Sequence, residues 1–589
     1  MKNYILRLWV EKLSNIYDVK LGAFRENSKT CFRVFAPNRE EIDLVIFNEN
    51  GADTFDMKKE KMGTFYIELE SDLEGREYAY MSDEYVVIDP YVKKLNKDKT
   101  RGVVLFPKGN TYNKLDIDPD TAVIYETHVK DFTMDKSVPF SKTPFKAMAE
   151  SFNVDGVEVG LNHIKELGAN YVHLLPIQDI ASIKDDTYNW GYDPEFYFAL
   201  ENSYGSPEDF REMVEKFHEK GIGVVMDVVY NHTYRNGSSV FEKLAPGNYY
   251  RMNENGFSNG SGVGSELDTS KDIVRKLIVE SLEYMLDEYN VDGFRFDLLG
   301  LMDKETTYYV FDILKKKKPN ILLYGEPWTG GPTILSQDEM TLKGTNRGKG
   351  FALFNDTYRD ALRGDNNPNS IGYISNEIIC RTGMISGIAG SIDFSDDIKG
   401  PFENPGESIN YFSCHDNFIL RDKLVSSGTP EELVDRRTRL AFSILALSFG
   451  KMFIQSGTEM GRTKNMCENS YNAGYEINCL FWNLKKENLD LFEYVKKLIS
   501  FRRELKLDKF SSEDIRKKLL FYINDRIISY KLETDMGNYY VGINPTPESV
   551  ESPFAEIDAE IIIENSIFTT GKYHSGSIMP ESVIVVREK

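Results

Sequence analysis

The chain has 589 residues, 41% of them hydrophobic and 28% charged, so it is typical of globular proteins and too long for one core. We therefore expect two to four domains. The 71 Lys and Arg residues against 93 Asp and Glu residues give a net charge of −22, which argues against nucleic acid or an anionic membrane as a main partner. A neutral sugar would meet no electrostatic penalty.

The cysteines and the N-terminal segment give no sign of secretion. The five cysteines are scattered without paired CxxC spacing, so the sequence predicts neither a disulfide framework nor a zinc site. Charges interrupt each apolar run of MKNYILRLWVEKLSNIYD, and no later run approaches the roughly 20 apolar residues of a membrane span. We expect a cytoplasmic protein, with a secreted protein trimmed of its signal as the open alternative.

The first zone, residues 1–115, is predicted to be a small β-sandwich. Short alternating strands occur at 30–37 (TCFRVFAP), 42–47 (IDLVIF) and 63–70 (GTFYIELE). Turn-forming residues separate them, as is typical of an antiparallel β domain.

The second zone, residues 116–490, alternates apolar strands with helical patterns such as PEDFREMVEKFHEKG at 207–221. Strands buried on both faces and covered by helices indicate a parallel sheet, and eight of them predict a (β/α)8 TIM barrel. An open doubly wound sheet is the alternative, but no Gly-rich nucleotide fingerprint follows any strand. The eight runs are AVIYET at 122–127, YVHLLP at 171–176, GVVMDVVY at 223–230, GFRFD at 293–297, ILLYGE at 321–326, GFALFND at 350–356, INYFSCHD at 409–416 and KMFIQSG at 451–457.

The third zone, residues 491–589, returns to short strands. IISYKLE at 527–533 and NYYVGIN at 538–544 alternate apolar and polar positions. This pattern predicts a C-terminal all-β domain, interpreted as a second β-sandwich.

Polar side chains stand at the C-terminal ends of the predicted barrel strands, where barrels assemble their active sites. Asp297, Glu326 and the pair His415–Asp416 lie at or next to the last residue of their runs. One such acid can simply cap the next helix. Three acids on different strands, joined by Arg295, predict a catalytic site, because gathering charges on one face is costly without a function.

Two carboxylates in unlike environments can hydrolyse a glycosidic bond, one as the nucleophile and the other as the proton donor. Arg295 precedes Asp297 by two residues, so both point to the same side of the strand and the guanidinium is expected to keep Asp297 ionised. Glu326 is followed by Pro327 and Trp328, an apolar flank expected to raise its pKa. Side chains on neighbouring strands can lie roughly 5 Å apart, the separation of the two catalytic carboxyl groups in retaining enzymes.

A loop-forming stretch, YNWGYDP at 188–194, carries three aromatic rings with polar tips. Gly191 and Pro194 disfavour a helix there. Rings of this kind either pack on the core or stack against a sugar, and the residues alone leave both interpretations open.

The motifs resemble the α-amylase superfamily of glycoside hydrolases and, within it, the type I pullulanases. YNWGYDP, YETHVKDFT at 125–133, FEKLAPGNYYR and FSNGSG are similar to pullulanase segments, while FRVFAP and DPYVKK are similar to carbohydrate-binding modules of family 48. The C-terminal zone resembles the all-β domain of the superfamily. The four superfamily motifs occur in order as DVVYNH at 227–232, GFRFDLLG at 293–300, YGEPW at 324–328 and SCHDN at 413–417.

The resemblance implies catalytic roles for matching residues. Asp297 would be the nucleophile, Glu326 the general acid/base, and Asp416 the acid that binds substrate hydroxyls and steadies the transition state. Arg295 would orient Asp297, and Tyr192 would stack under the sugar at the cleavage point.

The resemblance also implies binding and supporting roles. His232 and His415 would hydrogen-bond hydroxyls of that sugar, with Asp227 and Asn231 assisting, and Trp328 would be a platform on the leaving-group side. Two further residues have alternative roles, His173 as a sugar contact or a support and Trp190 as an outer-subsite or structural residue.

The sequence departs from the family pattern at two places, and the second lies in a loop that, by the resemblance, helps bind sugars on the non-reducing side. Pro327 stands where the family commonly has Gly, and SYNAGYEIN at 470–478 lacks the Asp often found at its Ala-Gly-Tyr positions. Asn472 is the candidate for a glucan contact on that loop.

The resemblance implies retaining hydrolysis of α-1,6 bonds in pullulan, limit dextrin or branched glycogen fragments. No cofactor is expected for the chemistry; a structural calcium ion is common in the superfamily, but no Asp/Asn cluster of clear ligand spacing assigns one. The alternatives are an isoamylase-like glycogen debrancher and an α-1,4-cleaving neopullulanase or amylopullulanase. A catalytically silent glucan-binding protein is disfavoured because Asp297, Glu326 and Asp416 are all present. The sequence does not indicate an oligomeric state.

Overall fold

The computed structural model describes residues 16–82, 85–109, 115–183, 187–235, 237–522, 524–554, 556–574 and 576–589. Most of the N-terminal segment MKNYILRLWVEKLSNIYD, residues 1–15, lies outside the described residues. Within the described ranges, no helix combines the length and the apolar character needed to cross a bilayer.

The N-terminal zone forms two antiparallel sheets, and the three predicted strands all occur. Alternate side chains such as Phe32, Leu44 and Tyr80 are buried and make the shared core. One sheet has the order Gly22–Glu26, Lys29–Phe35, Thr64–Leu69, Lys58–Lys59. The other has the order Gly51–Asp56, Asp43–Asn48, Glu77–Ser82, Tyr85–Val87, with Gly102–Val103 also paired to Glu77–Ser82.

The middle zone is a closed barrel of eight parallel strands, as predicted. The observed strands lie within the predicted apolar runs, except that the seventh begins one residue earlier, at Ser408. Both faces of each strand are buried, which explains why the runs are apolar throughout. Barrel strands one to eight are Val123–Thr127, Tyr171–Leu174, Gly223–Val228, Gly293–Phe296, Leu322–Gly325, Ala352–Phe354, Ser408–Asn410 and Lys451–Gln455.

Helices surround the barrel, and local sequence signals set their ends. Ser206 and Asp209 form a reciprocal capping box at the start of Pro207–Glu219, and its buried Phe210 and Phe217 lie two turns apart on one face. The α-helices are Val129–Thr133, Pro144–Met148, Leu161–Leu167, Pro207–Glu219, Val240–Leu244, Asp272–Tyr289, Lys304–Lys317, Asp356–Arg363, Arg381–Ile388, Leu420–Ser426, Glu431–Leu447, Tyr475–Asn478, Asn483–Glu487, Leu489–Glu504 and Ser512–Lys518.

Short two-stranded antiparallel ribbons lie in the segments between the barrel strands. One joins Ser151–Val154 to Val157–Gly160 before the second barrel strand. Two others lie in the long segment after the third strand and join His232–Thr233 to Ser265–Glu266 and Met252–Asn253 to Gly256–Phe257. These additions build up the C-terminal end of the barrel, where the predicted acids lie.

The C-terminal zone is a six-stranded antiparallel sheet with a two-stranded ribbon. Apolar residues including Tyr540, Phe554 and Ile578 fill the space between the two layers. The predicted limits of the domains stay a prediction; helix Leu489–Glu504 spans the limit at 490 and packs on the barrel helix Glu431–Leu447. The sheet order is Leu519–Tyr522, Ile528–Thr534, Gly537–Asn544, Ser582–Glu588, Ala559–Glu564, Ile567–Lys572, and the ribbon pairs Val550–Glu551 with Ser577–Ile578.

Candidate active site

The guanidinium of Arg295 joins three carboxylates at the C-terminal end of the barrel. Its Nη1 donates to both oxygens of Asp227 at 2.9 and 3.0 Å and to Oδ1 of Asp297 at 3.0 Å. Its Nη2 pairs with Oε1 of Glu326. Arg295 is only 1% exposed, so these carboxylates are what offsets a buried positive charge.

The two predicted catalytic carboxyls have different proton affinities. Burial raises the pKa of Asp297 to about 6, against the lowering by Arg295. Burial raises the pKa of Glu326 further, to about 8, again against Arg295. Arg295 therefore lowers the pKa of Asp297, as expected, but burial has the larger effect and the net pKa is raised. Near neutral pH the pair still holds one ionised and one protonated carboxyl, the combination that a nucleophile and a proton donor require.

Backbone and amide donors fix the orientation of both carboxyls. Asn231 Nδ2 donates to Oδ2 of Asp297 at 2.8 Å and to its backbone oxygen at 3.0 Å. Leu298 N donates to Oε2 of Glu326 at 2.9 Å. Leu298 adopts a left-handed conformation, with φ of 39° and ψ of 50°, directly after Asp297. Such strain in a bulky residue is sustained only where the surroundings hold it, and here it directs a backbone donor at Glu326.

His232 is a neutral donor in the same network. Burial lowers its pKa to about 4. Because the amide of Asn231 donates to Asp297, its Oδ1 accepts from His232 Nδ1, 2.6 Å away. The hydrogen of the neutral ring is thus on Nδ1, and Nε2 carries a free lone pair. Nε2 is buried and has no hydrogen-bond partner within the described residues.

Asp227 accepts hydrogen bonds from both Tyr192 and Arg295. It is fully buried, and Tyr192 donates to its Oδ2 at 2.6 Å. Although burial raises the pKa of this carboxyl, Arg295 and His173 hold it below the usual value. His173 is also fully buried, with Nε2 at 3.2 Å from Asp227. Since His173 is buried and contacts Asp227, the structure favours the supporting role of His173 over a direct sugar contact.

The YNWGYDP loop uses its three aromatic residues differently. The ring of Tyr192 stacks on His415 with centroids 5.1 Å apart and an interplanar angle of 19°. Trp190 is 4% exposed and meets the same histidine edge-on at 4.9 Å, so it packs inside the loop. Tyr188 donates to Asp131 at 2.5 Å on the flank of the site.

Glu126, at the end of the first barrel strand, was missed by the sequence reasoning. Its Oε1 lies 2.7 Å from Nδ1 of His415, and the residue is 1% exposed. Although burial lowers the pKa of His415, the carboxylates of Asp416 and Glu126 raise it to about 9, so the ring is positively charged near neutrality. The available signal was an acid at the end of an apolar run, AVIYET, the pattern that identified Glu326.

The remaining predicted residues lie at the rim. The side chain of Asp416 is 48% exposed and its Oδ1 is 3.6 Å from His415 Nε2, so its oxygens are open to a ligand. Trp328 is partly buried beside Phe354. Asn472 is exposed on the loop after the eighth strand, next to Tyr471, whose backbone oxygen accepts from Trp190 N at 3.0 Å.

The described residues contain no group of three or more His, Cys, Asp or Glu side chains arranged to hold a metal ion. The structural calcium ion therefore stays an unassigned prediction.

Glu126→Gln should reduce the stability that the folded protein gains from protonated His415. The folded-state pKa of about 9 exceeds the ordinary value of about 6.5, so protonated His415 stabilises the fold fully below pH 6.5 and this contribution is lost as pH rises through 9. We expect Glu126→Gln to lower Tm by several degrees at about pH 6 and by much less at about pH 10.

Thermal unfolding across this pH range checks the prediction. Glu459→Gln is the matched control, since Glu459 pairs with buried His163 at 2.8 Å and burial lowers the pKa of that histidine. Its Tm difference from the wild type should stay constant with pH. An equal, pH-independent loss in both variants would contradict the assignment of charge to His415.

Comparison with known proteins identifies the relatives of this chain. Residues 140–253 match the family "Alpha amylase, catalytic domain", and residues 20–92 match "Carbohydrate-binding module 48 (Isoamylase N-terminal domain)". The chain is 35% identical over 570 residues to the pullulanase of Bacillus subtilis (strain 168), covering 91% of this chain and 79% of that protein.

The solved structures similar to this chain are also pullulanases. The type I pullulanase of Bacillus subtilis str. 168, crystallised with maltose, superposes with a TM-score of 0.92 at 32% identity and covers 97% of this chain and 86% of that one. The pullulanase of Paenibacillus barengoltzii in complex with maltohexaose and α-cyclodextrin gives a TM-score of 0.90 at 31% identity, covering 98% and 97%. The chain therefore belongs to the type I pullulanases, glycoside hydrolases of the α-amylase family.

Proposed function

We propose that the protein hydrolyses α-1,6-glucosidic bonds in pullulan, limit dextrin and branched glycogen fragments, with retention of configuration. The observation that carries the proposal is the single guanidinium that binds both Asp297 and Glu326. Two carboxyls that share one guanidinium lie close together, which fits the roughly 5–5.5 Å separation of retaining glycosidases rather than the wider inverting spacing.

In the first step, Asp297 attacks the anomeric carbon of the sugar at the cleavage point. The bond from that carbon to O6 of the next glucose breaks, and Glu326 gives its proton to the leaving oxygen. The products of this step are a glycosyl ester on Asp297, an ionised Glu326 and a released chain end.

In the second step, Glu326 accepts a proton from water while the water oxygen attacks the same carbon. The ester bond to Asp297 breaks, which restores both carboxyls to their starting states. These side chains supply nucleophile, acid and base, so the proposed chemistry needs no cofactor.

The surrounding residues bind the sugar. His232 Nε2 accepts from a hydroxyl, charged His415 donates to another, and Asp416 accepts from hydroxyls as the ring flattens. Tyr192 forms the floor, held by Asp227. Further out, Trp328 is proposed as a platform for the leaving-group side and Asn472 as a contact for the opposite side. The cytoplasmic location stays a prediction.

The products formed from pullulan test the proposal. Maltotriose should be the main product, because pullulan joins maltotriose units by α-1,6 bonds. Asp297→Asn should form it slower by roughly 10⁴-fold or more, since the amide cannot form the ester. Chromatography of the products, with circular dichroism to confirm folding, is the measurement.

Other products would redirect the proposal. Panose or isopanose would mean α-1,4 cleavage. Release of linear chains from glycogen, with none from pullulan, would mean an isoamylase-like debrancher. Glucan binding without any product from the wild type would mean a silent binding protein.

The pH dependence of kcat/KM should follow the two carboxyls. The rate should rise as pH rises through about 6, because Asp297 must be ionised, and fall above about 8, because Glu326 must hold its proton. Initial rates on pullulan at low substrate concentration, from acid to alkaline pH, check this. A profile with no decline up to about pH 10 would contradict the assignment of Glu326 as the proton donor.

A further inference from the structure

A lysine of the N-terminal zone, Lys99, contacts the segment between the second and third barrel strands that carries Tyr192. Lys99 Nζ lies 2.6 Å from Oε2 of Glu201 and 2.9 Å from Oδ1 of Asp179. It also donates to the backbone oxygen of Ile180 at 2.9 Å. The side chain of Lys99 is 18% exposed, whereas those of Asp179 and Glu201 are 2% and 1% exposed. This ammonium is therefore the neighbouring charge that offsets two buried carboxylates.

Those partners lie on the two arms of one excursion from the barrel, residues 177–201. The arms pair through isolated bridges between Ile180 and Pro194 and between Gln178 and Leu200. Ala181 N donates to the backbone oxygen of Asp193, the residue that follows Tyr192, at 2.8 Å. Residues 184–186 of this excursion lie outside the described residues.

Lys99 binds both arms at their base. Asp179 and Ile180 belong to the outgoing arm and Glu201 to the returning arm. Oε2 of Glu201 also accepts from Ile180 N at 3.2 Å, so the ammonium and this backbone amide both connect the two arms. The two aromatic residues between the arms, Tyr192 and Trp190, are those that pack on His415.

The turn that presents Lys99 is itself held in place. Lys99 has a left-handed φ of 55°, which is uncommon outside glycine and persists only where the surroundings enforce it. Asn96 Oδ1 accepts from Thr100 N at 2.9 Å and from Arg101 N at 3.0 Å. Asn202 Nδ2, just beyond the returning arm, donates to the backbone oxygen of Asn96 at 3.0 Å.

We propose that Lys99 is a positioning residue for glucan hydrolysis, through which the N-terminal zone fixes both arms of the excursion and hence the place of Tyr192. Without the ammonium, the buried carboxylates of Asp179 and Glu201 repel each other and draw in water, and the arms separate. The hydroxyl of Tyr192 then loses its fixed hydrogen bond to Asp227. The inference rests on the proposed function, because it assigns Tyr192 to the sugar at the cleavage point.

Two variants test the proposal. Lys99→Met removes the ammonium. Combining it with Asp179→Asn removes one positive and one negative charge together, so the buried net charge is unchanged and the double variant is the safer one to fold. Lys108→Met is the matched control: Lys108 also joins the N-terminal zone to the barrel, 2.9 Å from Glu208, but both side chains are more than half exposed, at 56% and 51%.

The measurements are kcat and KM on pullulan per folded protein and the Kd of maltotriose by calorimetry. We expect Lys99→Met and the double variant to lose at least about tenfold in kcat/KM, because small misplacements of binding groups reduce rates strongly. Maltotriose should bind more weakly by a similar factor. Lys108→Met should stay within about twofold of the wild type.

The contrary results are distinct. A folded Lys99→Met with kcat/KM and maltotriose affinity within about twofold of the wild type would overturn the positioning role. Failure of both Lys99 variants to fold would also overturn it, by making Lys99 a folding determinant. A wild type that cleaves no pullulan would instead refute the proposed function.

Discussion

The site depends on one buried positive charge. Arg295, 1% exposed, cannot be left without partners in the barrel interior, and breaking such a buried pair typically costs about 3–5 kcal/mol. Asp227, Asp297 and Glu326 surround it. Burial raises the pKa of each carboxyl and the guanidinium lowers it, and the net result is a lowered pKa for Asp227 but raised pKa values for Asp297 and Glu326. One interaction therefore both stabilises the end of the barrel and separates the roles of two carboxyls.

The parallel barrel is what brings these groups together. Register places Asp227 opposite Arg295 on the third and fourth strands and Tyr324, two residues before Glu326, opposite Arg295 on the fifth. Since parallel neighbours end at the same edge, the side chains meet without any long loop having to fold precisely. The loops then add what the strands cannot supply: an aromatic floor, a charged histidine and, through Lys99, a connection to the N-terminal zone.

The sequence predicted the barrel, its eight strands and the location of the acids because all three depend on local patterns: apolar runs, and a polar residue at the end of several of these runs. It did not predict the net pKa of Asp297, since burial outweighs the adjacent guanidinium only in three dimensions. Glu126 carries a local signal, an acid near the end of an apolar run, but its pairing with His415 and the pairing of Lys99 with Glu201 join residues far apart in the chain and were not predicted. Trp190 could not be assigned either, as packing and stacking use the same residue type.

Trapping the covalent intermediate tests the central claim most directly. Glu326→Gln would be incubated with an α-fluoride of maltotriose, whose fluoride leaves without protonation, so that Asp297 can attack while the ester lacks a base for hydrolysis. Peptide mass spectrometry should then find one maltotriosyl group on Asp297, and none after Asp297→Asn is added. A sugar on another side chain, or no adduct together with a product of inverted configuration, would contradict the account.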